Sequence, residues 1–337
     1  MLLSEFDYEL PESSIGVSPA EPRDSARLLD TTSIDHRHRR VRELDQILLP
    51  DDVVVVNHTK VLPSRVKFHR RSGGSAELLV LEQRDDRWWE CLVRPSAKLR
   101  PGAEQVIGGV LVTFGEDLGE GRRLVRFDTD RSMSELLSEI GEVPLPPYLS
   151  GLRLEDSSRY QTVYAHDAKS AAAPTAGLHL TPELLDRMRT PPRQVLEVEL
   201  VVGLGTFRPI TVDELGDHQM HAERYQIDTS VWGQIIEAKR QGRRIVAVGT
   251  TTVRALESAA RSDCLSASTD IFIKRGFEWK IVDVLMTNFH LPKSSLLVML
   301  DAFMGPSWRD TYREAMENGY AMLSFGDAML AQRNEGV

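Results

Sequence analysis

Cysteine is scarce in this 337-residue chain, and long apolar runs are missing from it. The two cysteines, Cys91 and Cys264, lie far apart and form no C-x-x-C pair, which argues against a disulfide framework and a cysteine-based zinc site. No run of about 18 apolar residues occurs, so we expect no transmembrane helix. The acidic N-terminus lacks the pattern of a signal peptide. These absences together predict a cytoplasmic protein.

Two motifs that hold nucleotide phosphates are also missing. Gly203 and Gly205 begin a G-x-G pattern, but the third glycine of G-x-G-x-x-G would fall on Arg208, and Pro209 would interrupt the helix. This excludes a dinucleotide fold and leaves a glycine loop that approaches a different ligand. No G-K-[ST] occurs, which excludes a P-loop ATPase.

Positive charge is not in excess, because the net charge is −9. A nucleic acid could therefore bind only where lysine and arginine cluster locally. The densest basic segment contains Arg37, Arg39 and Arg40, although a solvated run of charge is the commoner outcome for such a segment.

The order of the sequence patterns indicates two kinds of structure. The apolar run 52–57 predicts a buried strand that leads into a polar loop. From about Lys67 to Asp128, short β-rich pieces alternate with turns, which is typical of a small antiparallel sheet or barrel. After Tyr148, helical and strand patterns alternate, including a strand expected at 271–274, and predict an α/β domain with a buried sheet.

The segment Ser170-Ala-Ala-Ala-Pro-Thr-Ala-Gly-Leu-His-Leu-Thr181 is the strongest candidate for an active-site loop. Its small residues, with Pro174, Thr175 and Gly177, let backbone approach a ligand closely. His179 adds an imidazole that can act as acid or base near neutral pH. The alternative is a tight loop with a buried, hydrogen-bonded histidine. Thr181-Pro182 predicts an N-cap and the start of a helix.

A second candidate is a strand, a glycine turn and a helix. Gly249 is followed by Thr250, Thr251 and Thr252, and Arg254 comes two residues later. Free N–H groups at such a helix start favour carboxylates and phosphates, and ligands of α/β sheets gather at the carboxyl ends of strands. The alternative is an ordinary N-cap on a packed helix.

Other polar groups lie in connections between the predicted elements. Asn288, His290 and Lys293 follow one strand and supply an amide, an imidazole and a cation, or else a plain polar connection. Glu223 lies near two histidines, but the spacing is not H-E-x-x-H, so we expect no metal there. It is better interpreted as a ligand-contacting or acid–base carboxylate, or as a solvated surface residue.

Two further positions complete the set of candidates. Asp327 follows a glycine in a turn that could aim its carboxylate into a site. Arg159 and Tyr160 combine a cation with a ring face suited to stacking on a base.

Many of these segments fall in the order found in one enzyme family, which the chain resembles over nearly its whole length: the S-adenosylmethionine:tRNA ribosyltransferase-isomerases of the queuosine pathway. The segments that carry the resemblance are Phe6-Asp-Tyr-Glu-Leu-Pro11, Glu21-Pro-Arg-Asp24, Val93-Arg-Pro-Ser96, Arg159-Tyr-Gln-Thr-Val-Tyr164, the stretches 172–181, 202–209, 249–258, 269–273 and 287–294, and Ser324-Phe-Gly-Asp-Ala-Met-Leu330.

The resemblance implies a reaction. The ribosyl part of S-adenosylmethionine moves onto 7-aminomethyl-7-deazaguanine at the wobble position of a tRNA with a G-U-N anticodon and is rearranged to give epoxyqueuosine, while adenine and methionine leave. S-adenosylmethionine is then a co-substrate, and neither a cofactor nor a metal is expected. His179 or His290 would serve as acid or base, with Asp327 or Glu223 as a second carboxylate. We expect a monomer.

The resemblance also implies an α/β main domain with a mixed sheet, over 1–64 and 148–337, and an inserted antiparallel β-barrel domain over 65–147. Four positions depart from the family pattern, namely His58, Lys60, Ala171 and Leu180. Leu180 replaces an aromatic residue, which weakens a stacking function there.

Three other functions compete with this interpretation. An ordinary methyltransferase would share the co-substrate but should have a glycine-rich first βα turn, which the chain lacks. A non-catalytic RNA-binding module would bind tRNA with steep salt dependence. A related enzyme with a different acceptor is the third, suggested by the altered loop residues.

Overall fold

The computed structural model describes residues 1–85, 87–149, 156–166, 168–203, 210–334 and 336. Contacts divide the chain into two compact units. The first contains Met1–Thr59, Gly151–Asp167 and Ala173–Val337, and the second contains Lys60–Ser150 and Ala168–Ala172. The domain bounds expected from the sequence, with 65–147 as the inserted domain, remain a prediction.

A nine-stranded mixed sheet forms the centre of the first unit. Its strands are β1 (Arg27–Thr31), β2 (Arg37–Arg40), β3 (Val53–Asn57), β12 (Gln194–Leu200), β13 (Glu223–Gln226), β14 (Ile245–Val248), β15 (Ser266–Thr269), β16 (Val284–Asn288) and β17 (Ala328–Gln332). Their order is β15-β13-β12-β3-β14-β16-β17-β1-β2. The four central strands β12, β3, β14 and β16 run parallel, and β13 and β17 pair antiparallel with β12 and β16.

Burial explains why the central strands carry continuous apolar runs. Every residue of β3, β14 and β16 is buried. Strands covered on both faces need apolar side chains on both, so a β-branched run without alternation suits this position. The strand expected at 52–57 is confirmed. The strand expected at 271–274 is wrong, because these residues pair with no strand of the described chain. Of the four, only Ile273 is buried, so the segment is a connection that packs a single side chain into the core.

Helices cover the sheet, and their start signals are visible in the sequence. The helices are α1 (Leu44–Ile47), α2 (Met133–Ile140) in the second unit, α3 (Pro182–Met188), α4 (Thr229–Arg240), α5 (Thr250–Ser262), α6 (Ser295–Met304) and α7 (Trp308–Glu317). Thr181 Oγ1 accepts a hydrogen bond from the Leu184 N–H at 3.2 Å, and Ser294 Oγ accepts one from Leu297 at 3.3 Å. The N-cap predicted at Thr181 is confirmed.

One apolar cluster fixes the histidine-bearing segment against the sheet. A 3₁₀ helix, Thr175–His179, leads into α3. Ala176, Leu180 and Leu184 from this region pack on strand residues that include Val54, Val248 and Met286. The burial of these side chains holds the backbone on either side of His179 in place.

The second unit is a six-stranded antiparallel sheet of barrel-like form. Its strands are β5 (Arg65–His69), β6 (Ser75–Asp85), β7 (Trp88–Arg94), β8 (Glu104–Ile107), β9 (Val110–Gly119) and β10 (Arg122–Asp128), and a short pair is formed by β4 (Lys60–Val61) and β11 (Ala168–Ser170). The order is β5-β6-β7-β10-β9-β8. The Arg71 N–H donates to Gln105 Oε1 at 3.0 Å, which draws the two outer strands together. An α/β domain and a small antiparallel barrel, as expected, are confirmed.

Candidate active site

The carboxyl ends of the four parallel strands gather polar side chains at one edge of the nine-stranded sheet. Asn57 ends β3, Asn288 ends β16, and Gly249 follows β14. The antiparallel neighbour β13 begins at this same edge with Glu223. Open α/β sheets bind their ligands at this edge, because loops there vary while the strands hold them in place. This edge is the candidate active site.

His179 lies at this edge, bound to Asn288. Asn288 Nδ2 is 3.1 Å from His179 Nε2, and the histidine is only 5% exposed. Burial, with the nearby Arg23 cation as a smaller cause, lowers the pKa of His179 to about 4. The imidazole is therefore neutral at pH 7. With the amide in this orientation Nε2 is the acceptor, so Nδ1 carries the hydrogen, and Nδ1 bonds to none of the described residues.

The turn between β14 and α5 lies beside the histidine segment. Gly249 has φ +89°, a conformation that side chains rarely adopt, and its N–H donates to the Met286 carbonyl at 2.8 Å. A Cβ at this glycine would lie 3.7 Å from the Ala176 Cβ, so the 3₁₀ helix passes close to the turn. Thr252 Oγ1 bonds to the Val248 carbonyl at 2.7 Å. The first N–H groups of α5 begin here, at the positive end of its dipole.

Asn57 connects the ends of three elements, a function that was not predicted from the sequence. Its Nδ2 donates to the Leu200 carbonyl at 3.0 Å and to Thr251 Oγ1 at 3.1 Å. Its Oδ1 accepts from the N–H groups of Leu200 at 3.1 Å and Thr59 at 3.2 Å. The side chain is fully buried and its amide is satisfied. Its only sequence signal is its position directly after the apolar run.

A buried ion pair lies on the other side of the α5 turn. Arg254 Nη1 bonds to Glu223 Oε2, while Glu223 Oε1 accepts the Gly203 N–H at 2.9 Å. Both side chains are at most 4% exposed. Burial lowers the pKa of Arg254 to about 10, so it stays charged at neutral pH. Among the described residues, Nε and Nη2 of Arg254 have no hydrogen-bond partner. A buried cation that keeps two unused N–H donors is suited to bind an anion.

Asp327 and His290 are less suited to chemistry than the sequence suggested. The Asp327 carboxylate accepts the N–H groups of Arg27 at 2.6 Å and Ala321 at 2.8 Å. Burial raises the pKa of Asp327. Its carboxylate holds two backbone segments, and only its carbonyl faces Asn288 Nδ2, at 3.4 Å.

His290 is enclosed by its own loop and an aromatic group. Its Nε2 is 3.1 Å from Thr287 Oγ1, its N–H donates to Tyr312 Oη at 2.8 Å, and its carbonyl accepts from Tyr8 Oη at 2.5 Å. Burial lowers the pKa of His290 to about 3. The structure thus joins His179, and not His290, to the side chain of Asn288.

Several binding candidates are held in other ways. Tyr160 is fully buried and packs edge-on against Phe325 with ring centroids 5.7 Å apart, so its faces are not available to a base. Arg159 pairs with Glu21 and donates to the Ala20 carbonyl at 2.6 Å. Lys293 Nζ lies 2.6 Å from Asp7 Oδ2, and both are about half exposed.

The remaining candidates support the loop or lie elsewhere. A Cβ at Gly177 would lie 2.0 Å from Tyr164 Oη, which explains the glycine. Pro174 is buried and caps the 3₁₀ helix, while Thr175 is half-buried in its first turn. Leu180 is fully buried in the core, so its replacement of an aromatic removes no stacking surface from the site. Gly205 lies outside the described residues.

Comparisons with known proteins show the family of this chain. Residues 3–331 match the family described as queuosine biosynthesis protein. The S-adenosylmethionine:tRNA ribosyltransferase-isomerase of Thermotoga petrophila is 45% identical over 341 residues, 98% of this chain and 99% of the relative. That of Staphylococcus haemolyticus is 41% identical over 342 residues, with the same coverage.

The crystal structure of S-adenosylmethionine tRNA ribosyltransferase from Thermotoga maritima is similar over 97% of this chain and 99% of that one, with 36% identity and a TM-score of 0.54. The chain belongs to this family. It is an enzyme of queuosine biosynthesis, and the resemblance seen in its sequence is confirmed.

The described residues also bear on membranes and metal ions. No helix among them is long and apolar enough to cross a membrane. No group of three or more histidine, cysteine, aspartate or glutamate side chains in the described ranges could hold a metal ion.

Proposed function

We propose that the chain transfers the ribosyl part of S-adenosylmethionine to 7-aminomethyl-7-deazaguanine at the wobble position of a G-U-N tRNA. The sugar is isomerised to the epoxycyclopentanediol of epoxyqueuosine, and adenine and methionine are released. The names and near-complete coverage of the relatives support this proposal. In this chain the supporting observation is the neutral, buried His179 beside the α5 turn, together with the unused N–H donors of Arg254.

His179 is the base in this proposal. The sulfonium of S-adenosylmethionine acidifies the adjacent 5′ carbon, so a neutral imidazole can remove a proton and form an ylide. A pKa of about 4 makes the resulting imidazolium a stronger acid than an ordinary histidine side chain. It therefore returns its proton readily, which suits protonation of the departing adenine. Because Nδ1 already carries the hydrogen, Nε2 is the atom that takes the proton, and it exchanges its hydrogen bond from the Asn288 amide for the proton of the substrate.

Arg254 and the start of α5 bind the methionine carboxylate. The guanidinium is charged and buried, and it keeps two donors after pairing with Glu223. The N–H groups after Gly249 add donors and the positive end of a helix dipole. Anchoring the amino-acid end there positions the ribose, which lowers the entropic part of the barrier.

The decisive experiment mixes purified protein with S-adenosylmethionine and a tRNA that carries the aminomethyl-deazaguanine. We expect adenine and methionine in equal amounts by chromatography, and the nucleoside mass of epoxyqueuosine after digestion. S-adenosylhomocysteine in place of adenine would show a methyltransferase. Binding of tRNA without consumption of S-adenosylmethionine would show a binding module or an enzyme with another acceptor.

The same assay tests the base. His179→Ala should lower kcat by about 10²- to 10⁴-fold. Its matched control is His69→Ala, which removes an exposed histidine from the second unit. Unchanged turnover in His179→Ala would remove the histidine from the mechanism.

A further inference from the structure

Four arginines lie along the same edge of the first unit and are called here the cationic rim: Arg23, Arg27, Arg40 and Arg159. Arg27 and Arg40 face one another in the register of β1 and β2. Directly opposed residues of an antiparallel pair have Cβ atoms about 5 Å apart, so two like charges there repel. Asp327 lies near both side chains, and the charge of each acts to lower the pKa of its carboxyl group.

The other two arginines form a second like-charged pair. Arg23 and Arg159 are close enough that the charge of Arg159 lowers the pKa of Arg23, after burial as the larger cause. Arg23 is fixed by three backbone carbonyls, those of Gln161 at 2.8 Å, Ser158 at 2.9 Å and Leu178 at 3.2 Å. The last of these belongs to the residue before His179, so this pair adjoins the candidate base.

The two pairs are connected through the site itself. Arg27 donates its N–H to Asp327, the Asp327 carbonyl faces Asn288, and Asn288 bonds to His179. The four cations therefore share this edge with the imidazole: Arg23 acts on it directly, and the Arg27 backbone is connected to it through Asp327 and Asn288. Since the whole chain has a net charge of −9, their concentration at this edge is local.

Nearby carboxylates neutralise the rim only in part. Glu21 pairs with Arg159 but is 76% exposed, and Asp156 acts on Arg23 from a fully exposed position. Exposed carboxylates of this kind form weak, solvent-screened pairs that a stronger anion can displace. The Arg40 side chain donates to the Ser25 carbonyl at 2.5 Å and that of Arg27 to the Asn318 carbonyl at 2.6 Å, and among the described residues neither forms an ion pair with a carboxylate.

We propose that the cationic rim binds the phosphate backbone of the RNA substrate on either side of the nucleotide presented to His179. A polyanion relieves the repulsion within each arginine pair and gains charge-assisted hydrogen bonds. Phosphates position the RNA, while the modified base enters the site. This assignment rests on the proposed function, because it takes tRNA as the substrate of the same site.

The test uses the variant Arg40→Gln/Arg159→Gln, which removes one cation from each pair and leaves Arg23, with its three bonds to backbone carbonyls, in place. Its control is Arg131→Gln/Arg240→Gln, which removes the same charge from two exposed positions, one just before α2 and one at the end of α4. Binding of the full-length protein to tRNA is measured by fluorescence anisotropy across salt concentrations. Each lost phosphate contact lowers the slope of log Kd against log[salt] by about 0.7–0.9.

We expect the rim variant to lose about 1.5 from that slope, to bind tRNA about 10- to 50-fold more weakly at 0.1 M salt, and to keep its affinity for S-adenosylmethionine. An unchanged slope, or an equal loss in the control, would overturn the proposal that the cationic rim binds RNA phosphates. Release of adenine by the wild type is read separately. Wild-type tRNA binding without adenine release would overturn the proposed function, while the slope of the variant would still decide the rim.

Discussion

Asn288 Nδ2 lies 3.1 Å from His179 Nε2, although the two residues are 109 positions apart in the chain. The amide is neutral, so it orients the imidazole without favouring its charged form. Burial then keeps the histidine uncharged at physiological pH. A substitution at Asn288 should therefore change the pKa of His179.

Asn288→Asp should move the acid limb of the pH–rate profile to higher pH. A carboxylate next to the imidazole favours the imidazolium and raises its pKa by about 1–3 units. The base must be neutral, so activity at pH 6 should fall relative to pH 8, whereas the wild type should be limited only near pH 4. The measurement is kcat/KM for adenine release. Asn288→Ala removes the amide without adding charge and should keep the wild-type limb; identical profiles for all three proteins would contradict the assignment.

Arg254→Met should weaken binding of S-adenosylmethionine and also destabilise the fold. It removes the cation that pairs with the buried Glu223 carboxylate, which costs about 3–5 kcal/mol in the free energy of unfolding. Adding Glu223→Gln removes that charge while its amide oxygen can still accept the Gly203 N–H.

The double variant separates these two effects. Urea unfolding should show most of the stability restored, and calorimetry should still show affinity for S-adenosylmethionine at least about 10-fold below the wild type. Wild-type affinity in the double variant would place the methionine carboxylate elsewhere.

Gly177→Ala should destabilise the protein by about 1–3 kcal/mol, because its methyl group would lie 2.0 Å from Tyr164 Oη. Tyr164→Phe removes that oxygen and should recover part of the loss in the double variant. Urea midpoints measure both. The control is Gly233→Ala, at an exposed position of α4 with open space around it, where alanine should stabilise by up to about 1 kcal/mol. A neutral Gly177→Ala would contradict the close approach.

Acid should destabilise the protein partly through its buried histidines. The pKa of His290 is lowered to about 3 in the folded state, below the ordinary value of 6.5, so the unfolded chain binds more protons between these values. The free energy of unfolding therefore falls as pH drops from about 6.5 towards 4, by at most about 1.4 kcal/mol per pH unit for this group.

The histidine contribution is the difference between two pH series. His290→Gln should lose stability less steeply than the wild type over that window in urea unfolding, since its amide does not titrate. The exposed His69→Gln should follow the wild type. Equal slopes for His290→Gln and wild type would show that His290 is protonated as easily when folded as when unfolded.

Local signals predicted the central elements of the fold well. The valine run of β3 and the cap at Thr181 depend on residues that are close in sequence, and both were found where expected. The four β-rich pieces of the second unit are likewise strands. The strand predicted from the apolar residues at 271–274 is wrong, because burial of Ile273 alone provides no partner strand.

The functions of the polar residues were much less visible. His179 and His290 both stand in loops of small and polar residues, and the sequence did not choose between them. Asp327 looked free to enter a site, yet its carboxylate holds the N–H groups of Arg27 and Ala321. Asn57 and Arg23 were overlooked because their partners are remote in sequence.

The family, the alternation of helices and strands, and the polar groups available for chemistry could all be predicted from the residues alone. Tertiary structure alone decided which of those groups is buried, which is bonded to backbone and which keeps an idle donor. Periodicity and capping act over a few residues, whereas hydrogen bonds and desolvation depend on strands and loops brought together across the sheet. For this reason His179, Asn288 and Arg254 could be nominated from sequence, but only their packing distinguishes them from His290 and Asp327.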